Sequence, residues 1–281
     1  MILIADSGST KTEWALIKSE KNVDKFKTIG LNPVFVNSET IIKEIKSTQI
    51  INNCENIKEI YFYGAGCSSV KKNIIIETPL KQIFPNAKIV IQNDLVGAGI
   101  SQFKNDKGII GILGTGSNTG IYKNGRIVEN INSLGYILGD EGSGAVIGKK
   151  IIKLYLNKEL PENITKKFNV KFNISLNDII AKVYKEPFPN KFLASFMPFV
   201  LENKDNDFIR DVLYNSFSDF FDKTICKYNN YLNYEFKLIG SIAFYFEEII
   251  RDICLSRNIN LTTISKSPMQ GLINFYIKKI D

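Results

Sequence analysis

Short apolar runs separated by polar turns fill the first hundred residues, in the pattern of an α/β domain. The apolar runs predict strands over 1–6, 12–18, 23–29, 57–63 and 88–92. A helix is predicted over 38–50, where Ser38 suits the N-cap, and a second over 68–84, interrupted near Pro79. A third helix, rich in small residues, is predicted to start at Asn93-Asp94.

The same order of elements begins again in the second half, which indicates an internal duplication. A strand over 109–113 leads into the glycine-rich stretch 111–120, a hairpin turns at Asn124-Gly125, and a third strand covers 126–130. The remaining predicted elements are a helix from Ser143 to about Leu156, strands over 237–239 and 260–264, and helices over 243–253 and 269–280.

The stretch between these later elements has a different pattern. Residues from about 160 to 234 are mostly helical and irregular, with prolines at 187, 189 and 198, which indicates a helical insertion. The two halves therefore predict two mixed α/β lobes, over 1–105 and 106–265, with a cleft between them. Ligands are expected at the strand ends.

Composition narrows the class of protein. No apolar run approaches the roughly 18 residues of a membrane span, and the chain starts with a strand-like segment, so we expect a cytoplasmic protein without membrane contact. The net charge of +7 comes from lysines spread over the chain, so no nucleic acid partner is expected. Histidine is absent, which leaves a carboxylate, Lys, Tyr or Cys for proton transfer. The four cysteines lack metal-ligand spacing and are expected to be reduced thiols.

Two glycine-rich turns are the strongest candidates for binding chemistry. The first contains Gly8, Ser9, Thr10, Lys11 and Thr12, and the second contains Gly114, Thr115, Gly116, Ser117 and Asn118. Such turns offer backbone N–H groups and small hydroxyls to phosphate oxygens, although each alone is more often only a hairpin. Their pairing favours a polyphosphate ligand. No P-loop and no GxGxxG element opening a βαβ unit is present, so those nucleotide-binding folds are disfavoured.

Carboxylates at strand ends supply the candidate catalytic groups. Asp6 could hold Mg²⁺ or merely cap its turn. Asp94 could act as a general base or as a helix N-cap. Asp140 and Glu141 could likewise cap a helix or contact the ligand, and the glycines on either side favour contact with the ligand. Gly240-Ser241 follows a strand and precedes a helix, where the backbone could pass close to adenosine.

Taken together these motifs resemble the BadF/BadG/BcrA/BcrD ATPase family, and within it the N-acetylglucosamine kinase branch. The stretches that carry the resemblance are 6–12, 93–98, 114–118, 138–143 and 240–241. The resemblance implies two ribonuclease-H-like lobes of the actin-like ATPase type, each with a mixed five-stranded sheet flanked by helices. It also implies that a terminal helix over 266–281 returns to the first lobe.

The resemblance further implies an ATP-dependent kinase acting on a hydroxyl, the 6-hydroxyl being favoured, of N-acetylglucosamine or a related amino sugar. Asp94 would be the base, and Asn32, Asn118 and Asp140 would hold the sugar, with Ser117 and Glu141 beside them. ATP and Mg²⁺ are the implied cofactors, and a homodimer is compatible with the family. Two alternatives stay open: an ATPase that activates a partner enzyme, against which the lack of cluster cysteines argues, and a non-catalytic sugar or nucleotide sensor.

Overall fold

Two five-stranded sheets organise the chain, and both have the same strand order. They are seen in a computed structural model, which describes residues 1–279. The strands are β1 (Ile2–Ser7), β2 (Lys11–Ser19), β3 (Asn22–Ile29), β4 (Glu59–Gly64), β5 (Lys88–Asn93), β6 (Lys107–Leu113), β7 (Ser117–Lys123), β8 (Arg126–Ile131), β9 (Phe236–Ile239) and β10 (Leu261–Ser265). Every strand predicted from the apolar runs is present, with its ends shifted by no more than a few residues.

Helices fill the segments between these strands and form the insertion. They are α1 (Ser38–Lys46), α2 (Val70–Ile83), α3 (Asp94–Phe103), α4 (Gly135–Leu138), α5 (Gly144–Leu156), α6 (Glu162–Phe172), α7 (Leu176–Tyr184), α8 (Pro189–Ala194), α9 (Met197–Glu202), α10 (Asp207–Lys223), α11 (Ser241–Tyr245), α12 (Glu247–Ser256) and α13 (Met269–Tyr276). Residues 280 and 281, at the end of the predicted terminal helix, lie outside the described residues.

Three helix predictions differ from the structure. The N-cap of helix α1 is Asn37, whose Oδ1 accepts from Thr40 N–H at 2.9 Å, and not Ser38, which is the first helical residue. The helix ends at Lys46, and a 3₁₀ turn follows over Gln49–Asn53. Pro79 lies inside α2 without ending it, because Pro79 is buried on the helix face that packs into the core with Ile76, Leu80 and Ile83. The helix predicted over 243–253 divides into α11 and α12 at Phe246, whose backbone leaves the helical conformation.

The chain divides into two compact units. The first contains residues 1–110, 120–129 and the chain from 267 onward, and the second contains 111–119 and 130–266. In the first unit the strand order is β3-β2-β1-β4-β5. Strand β1 pairs antiparallel with β2 and parallel with β4, and β4 pairs parallel with β5. Ser7, Gly64 and Asn93 are register partners, so the carboxyl ends of three parallel strands are level at one sheet edge.

Alternating side chains of β1 and β2 build the core of the first unit. Leu3, Ala5, Trp14 and Leu16 are buried in one cluster with residues of α1 and α2. Trp14, the only tryptophan of the sequence, is fully buried in this core, and its Nε1 donates to Thr28 Oγ1 at 3.0 Å. Helix α13 packs against α3, and Gly271 allows the approach because a Cβ there would lie 2.4 Å from the Ser101 carbonyl oxygen.

The second sheet has the order β10-β9-β6-β7-β8. Read from β8, this order matches the first sheet strand for strand, and β9 and β10 are parallel as β4 and β5 are. The agreement supports the duplication expected from the sequence. The insertion contributes the buried aromatic residues Phe217, Phe220, Phe221 and Tyr228, and Phe217 and Phe221 pack on Phe246 and Phe236 outside it. Within residues 1–279 no helix combines the length and apolarity needed to cross a membrane.

Candidate functional site

The first glycine turn is a tight loop between β1 and β2. Gly8 N–H donates to the Lys11 carbonyl at 3.0 Å, which closes the turn. Ser9 is partly exposed and Thr10 is exposed, whereas Thr12 is fully buried. The hydroxyl of Thr12 donates to the Ile29 carbonyl at 2.9 Å. The structure therefore gives the Thr12 side chain an internal role, while the rest of the turn faces outward.

Lys11 is held by a neighbouring carboxylate. Its ammonium lies 2.6 Å from Glu13 Oε1, and Ser267 donates to Glu13 Oε2 at 2.6 Å. Although burial opposes ionisation of Glu13, the hydrogen bonds from Lys11 and Ser267 lower the pKa of its carboxyl. Glu13 therefore pairs with Lys11 beside the turn, a contact that the sequence alone did not reveal.

Asp6 and Asp94 lie at the same edge of the first sheet. Because β4 separates β1 from β5, these two strands lie about 10 Å apart. Asp6 is level with Gln92 through Tyr63, and Asp94 lies two residues beyond Gln92. Burial, followed by the Asp94 and Glu13 carboxylates, raises the pKa of Asp6 to about 7, with Lys11 opposing the shift. A divalent cation stabilises the ionised form of a carboxylate whose charge is otherwise unfavourable, and Mg²⁺ prefers oxygen ligands. Asp6 therefore fits the predicted magnesium site.

Asp94 is the first residue of α3, and the residue that caps the helix is the one before it. Asn93 is the N-cap, and its Oδ1 accepts from Leu95 N–H at 3.0 Å. Asp94 Oδ1 accepts from the same N–H at 2.9 Å and is half-buried. The capping interpretation of Asp94 is therefore corrected: the N-cap is Asn93. Gly97 of the same helix packs on Tyr63, where a Cβ would lie 2.6 Å from the ring.

Asn32 lies beside a loop that the sequence did not single out as part of a site. Its Oδ1 accepts from Val34 N–H at 2.9 Å, and its side chain is buried. A Cβ on Gly66, which has φ +81°, would lie 2.3 Å from that oxygen. Burial and the nearby Asp94 carboxylate raise the pKa of the adjacent Cys67 thiol to about 12. The loop after β4 thus joins Asn32 to the surroundings of Asp94, and the cluster of small residues over 64–67 was the available signal.

The second glycine turn rests on the start of α5. The carbonyl of Gly114 accepts from Gly144 N–H at 2.8 Å, and that of Thr115 accepts from Ala145 N–H at 3.1 Å. These two amides of the helix N-terminus are therefore used by the protein itself. A Cβ on Gly114 would meet no atom within 4 Å, so this part of the turn borders open space.

Gly240 contacts the beginning of that turn. With φ +127°, a Cβ there would lie 2.0 Å from the Leu113 carbonyl oxygen. Ser241 is exposed at the first position of α11. The two segments predicted to bind phosphate and adenosine are therefore adjacent within the second unit.

Asp140 and Glu141, which the sequence could not rank, have different surroundings. Asp140, at φ 57°, accepts from Ser133 Oγ at 2.9 Å, and its Oδ2 lies 2.8 Å from where a Cβ of Gly116 would be. Burial raises the pKa of Asp140, although hydrogen bonds from Ser133 and from the Ser117 backbone oppose the shift. Glu141 instead pairs with Lys223 at 3.3 Å. Asp140 is therefore the carboxylate that contacts the second glycine turn.

Asn118 is held in place by its neighbours on two strands. Its Oδ1 accepts from Thr119 N–H at 2.9 Å and from Asn130 Nδ2 at 3.0 Å. Thr119 Oγ1 and the Tyr228 hydroxyl are 2.9 Å apart, which ties β7 to the insertion. The structure thus brings the predicted residues together in two groups, one in each unit. The first is Asp6, Gly8, Ser9, Thr10, Lys11, Asn32 and Asp94, and the second is Gly114, Thr115, Gly116, Ser117, Asn118, Asp140, Gly240 and Ser241.

Comparison with known proteins agrees with this arrangement. A model of the BadF/BadG/BcrA/BcrD ATPase family matches residues 5–203. A solved structure from Porphyromonas gingivalis, described provisionally as an N-acetylglucosamine kinase, is 36% identical, with a TM-score of 0.94 over 100% of both chains. The two mixed sheets are thus those of the actin-like ATPase and sugar kinase fold.

Two further relatives match over a shorter stretch or at lower identity. A Clostridium acetobutylicum N-acetylmuramic acid/N-acetylglucosamine kinase is 37% identical over 103 residues, which span 36% of this chain and 33% of that enzyme. A Chromobacterium violaceum structure, also described provisionally as an N-acetylglucosamine kinase, is 17% identical, with a TM-score of 0.72 over 98% of both chains, and shares the fold.

Proposed function

Because the chain belongs to the BadF/BadG/BcrA/BcrD ATPase family, we propose that it is an ATP-dependent kinase of N-acetylglucosamine or a related amino sugar. The expected acceptor is the 6-hydroxyl. The 36% identity to the Porphyromonas gingivalis protein over the whole chain supports this substrate class. A homodimer, which the resemblance to the family allows, stays a prediction.

The observation that carries the proposal is the position of Asp94. Its carboxylate stands at the carboxyl end of β5, at the sheet edge where the first glycine turn and Asp6 also lie. In a chain without histidine, a carboxylate at this edge is suited to accept the proton of a sugar hydroxyl as that hydroxyl attacks the γ-phosphorus. The attacking oxygen would bond to phosphorus as the bond between phosphorus and the ADP leaving oxygen breaks.

Binding of the nucleotide is assigned to both glycine turns. Gly240 and Ser241 would border adenosine, and the adjacent Gly114, Thr115 and Gly116 would approach the phosphates with their backbone. In the first unit Gly8, Ser9 and Thr10 would donate hydrogen bonds to phosphate oxygens, with the ammonium of Lys11 close by.

Asp6 would hold Mg²⁺ through its carboxylate. When bound, the ion neutralises charge on the phosphate oxygens and so favours phosphoryl transfer. The raised pKa of Asp6 supports this assignment, because its surroundings disfavour a bare negative charge.

Recognition of the sugar is assigned to Asn32 in the first unit and to Asn118 and Asp140 in the second. Between the neighbouring carboxylates we favour Asp140 over Glu141, because Glu141 is paired with Lys223 while Asp140 contacts the second glycine turn. Ser117 supports Asp140 through its backbone N–H. The side-chain amides and the carboxylate could bond the hydroxyls and the acetamido group of the sugar.

The test is an assay of ADP release with a panel of sugars, each with and without an N-acetyl group. N-Acetylglucosamine is expected to stimulate turnover, and Asp94→Asn is expected to lower kcat by about 10²- to 10⁴-fold with a smaller change in KM, because a proton acceptor is lost. Asp106→Asn, at an exposed carboxylate, serves as the matched control and should keep full activity. Absence of turnover with every sugar would reject the kinase, and full kcat in Asp94→Asn would reject the base.

A further inference from the structure

Two buried hydroxyls join the ends of the first glycine turn. Ser7 ends β1 and Thr12 lies opposite it in β2, and their oxygens are 2.8 Å apart with no exposure to solvent. The four residues between them form the turn assigned to phosphate binding. Any shift of that turn therefore acts on this pair.

The same hydroxyls hold the segment that leads to Asn32. Leu31 N–H lies 3.0 Å from Ser7 Oγ and 3.2 Å from Thr12 Oγ1. Thr12 donates to the Ile29 carbonyl at 2.9 Å, so Ser7 is the donor within the pair. Every proton in this small network thus has an acceptor, and the network fixes the backbone on both sides of Gly30.

Backbone packing reinforces the connection. Gly30 N–H donates to the Thr10 carbonyl at 3.1 Å, and a Cβ on Gly30 would lie 2.4 Å from the carbonyl oxygens of both Gly8 and Ser9. The main chain of the turn and the main chain before Asn32 are therefore in direct contact. On the other side, Ala65 N–H donates to the Ser7 carbonyl at 2.8 Å, in the loop whose Gly66 touches Asn32.

We propose that Ser7 and Thr12 are positioning residues that couple nucleotide binding at the first glycine turn to the arrangement of Asn32 for the sugar. Neither side chain touches a ligand, since both are fully buried. A nucleotide that orders the turn orders the segment 29–32 through the hydroxyl pair, so the sugar then binds at a lower entropic cost. The inference rests on the proposed function for the identity of the sugar, whereas the hydrogen-bonded connection between the turn and the segment 29–32 is a property of the fold.

Thr12→Val is the principal test, because it removes the hydroxyl and nearly preserves the shape, and Thr12→Ser is the matched control that restores it. We would measure the Kd of N-acetylglucosamine with and without saturating ADP-Mg²⁺. The wild type is expected to bind the sugar at least about fivefold more tightly with nucleotide, as is typical of coupled sites. Thr12→Val should reduce this factor below about twofold, and Thr12→Ser should retain it.

A second readout does not depend on the sugar. Hydrogen exchange of a peptide covering 29–36 is expected to slow about threefold or more on addition of ADP-Mg²⁺ in the wild type and in Thr12→Ser, and to remain unchanged in Thr12→Val. Ser7→Ala, which keeps the bond from Thr12 to Ile29, repeats both measurements if Thr12→Val does not fold.

The outcomes separate the two hypotheses. A wild type that fails to bind any amino sugar would reject the proposed function, and the exchange measurement would still decide the coupling. Folded Thr12→Val and Ser7→Ala proteins that keep the nucleotide-dependent protection of 29–36 would overturn the inference. If the protein is a kinase but nucleotide strengthens sugar binding by the same factor in the wild type and in Thr12→Val, the inference about Ser7 and Thr12 is overturned. The proposed function would remain intact.

Discussion

At the scale of single residues, the surroundings of Asp6 oppose the charge that its proposed task requires. The carboxyl has a pKa of about 7 in the folded chain, well above the 3.8 of an ordinary aspartate. Folding therefore favours the protonated form, and the folded state loses about 1.4 kcal/mol of stability for each pH unit between pH 4 and pH 7. This contribution to stability is complete at low pH and is lost as the pH rises through 7.

Asp6→Asn is therefore expected to make the metal-free protein less sensitive to pH. In EDTA, the free energy of unfolding of the wild type should fall by about 3 kcal/mol more than that of Asp6→Asn between pH 5 and pH 8. Urea unfolding at both pH values measures this difference. Asp205→Asn, at an exposed carboxylate, should follow the wild type. Parallel pH profiles for all three proteins would contradict the assignment.

Gly240 gives a second test at this scale, because it combines a positive φ with a steric limit. Gly240→Ala should cost more than about 3 kcal/mol and weaken ATP binding, since its Cβ would overlap the Leu113 carbonyl at 2.0 Å. Gly125 is the matched control: it has φ +82° but no atom within 4 Å of a Cβ, so Gly125→Ala should cost only about 1 kcal/mol. Urea midpoints and the KM for ATP measure both effects, and equal losses would refute the steric argument.

The candidate site residues at strand ends could be predicted from the sequence. The hydrogen-bond and ion-pair partners of buried or paired side chains could not. Asp6 and Gly240 were predicted because each directly follows an apolar run, and Asp94 because it follows the end of a predicted strand by two residues. The carboxyl ends of strands are where α/β folds bind their ligands. The buried role of Thr12 and the pairing of Glu141 depend on Ser7, Ile29 and Lys223, which only the fold brings near.

At the scale of secondary structure, the hydrophobic periodicity predicted where the helices and strands lie, but it did not predict correctly where a helix is interrupted. Pro79 predicts a break from its own chemistry, yet the apolar face of α2 holds the helix together across it. Phe246 has no helix-breaking chemistry, yet the backbone leaves the helical conformation at this residue. At Pro79 the packing of the helix against the core outweighs the local preference of proline, and the hydrophobic pattern of one segment does not contain that information.

Helix α13 offers a test in which two effects oppose each other. Gly271→Ala would raise intrinsic helix stability by up to about 1 kcal/mol, but its Cβ would lie 2.4 Å from the Ser101 carbonyl. Because backbone at that distance cannot yield without moving α3, we expect a net loss of about 2 kcal/mol or more in urea unfolding. Asn274→Ala, on the exposed side of the same helix, should be neutral or slightly stabilising. A stabilised Gly271→Ala protein would show that α13 packs less closely on α3.

At the scale of the whole molecule, the repeated strand order explains why so much of the fold could be predicted. Two segments with the same sequence of strands and helices predict two similar sheets, and each sheet has the expected five strands. The insertion, α6 to α10, has no counterpart in the first unit, so its pattern gave only its helical character. Its internal packing, such as Phe168 against Phe196 and Phe199, had to come from the structure.

Helix α13 packs on a unit that is otherwise built mainly from the beginning of the chain. A ribosome releases the strands of that unit first and supplies its last helix only after more than a hundred intervening residues have emerged. During that interval the surface of α3 around Ser101 stays uncovered. Translation of the first unit thus begins earliest, yet its packing is completed only when α13 is available.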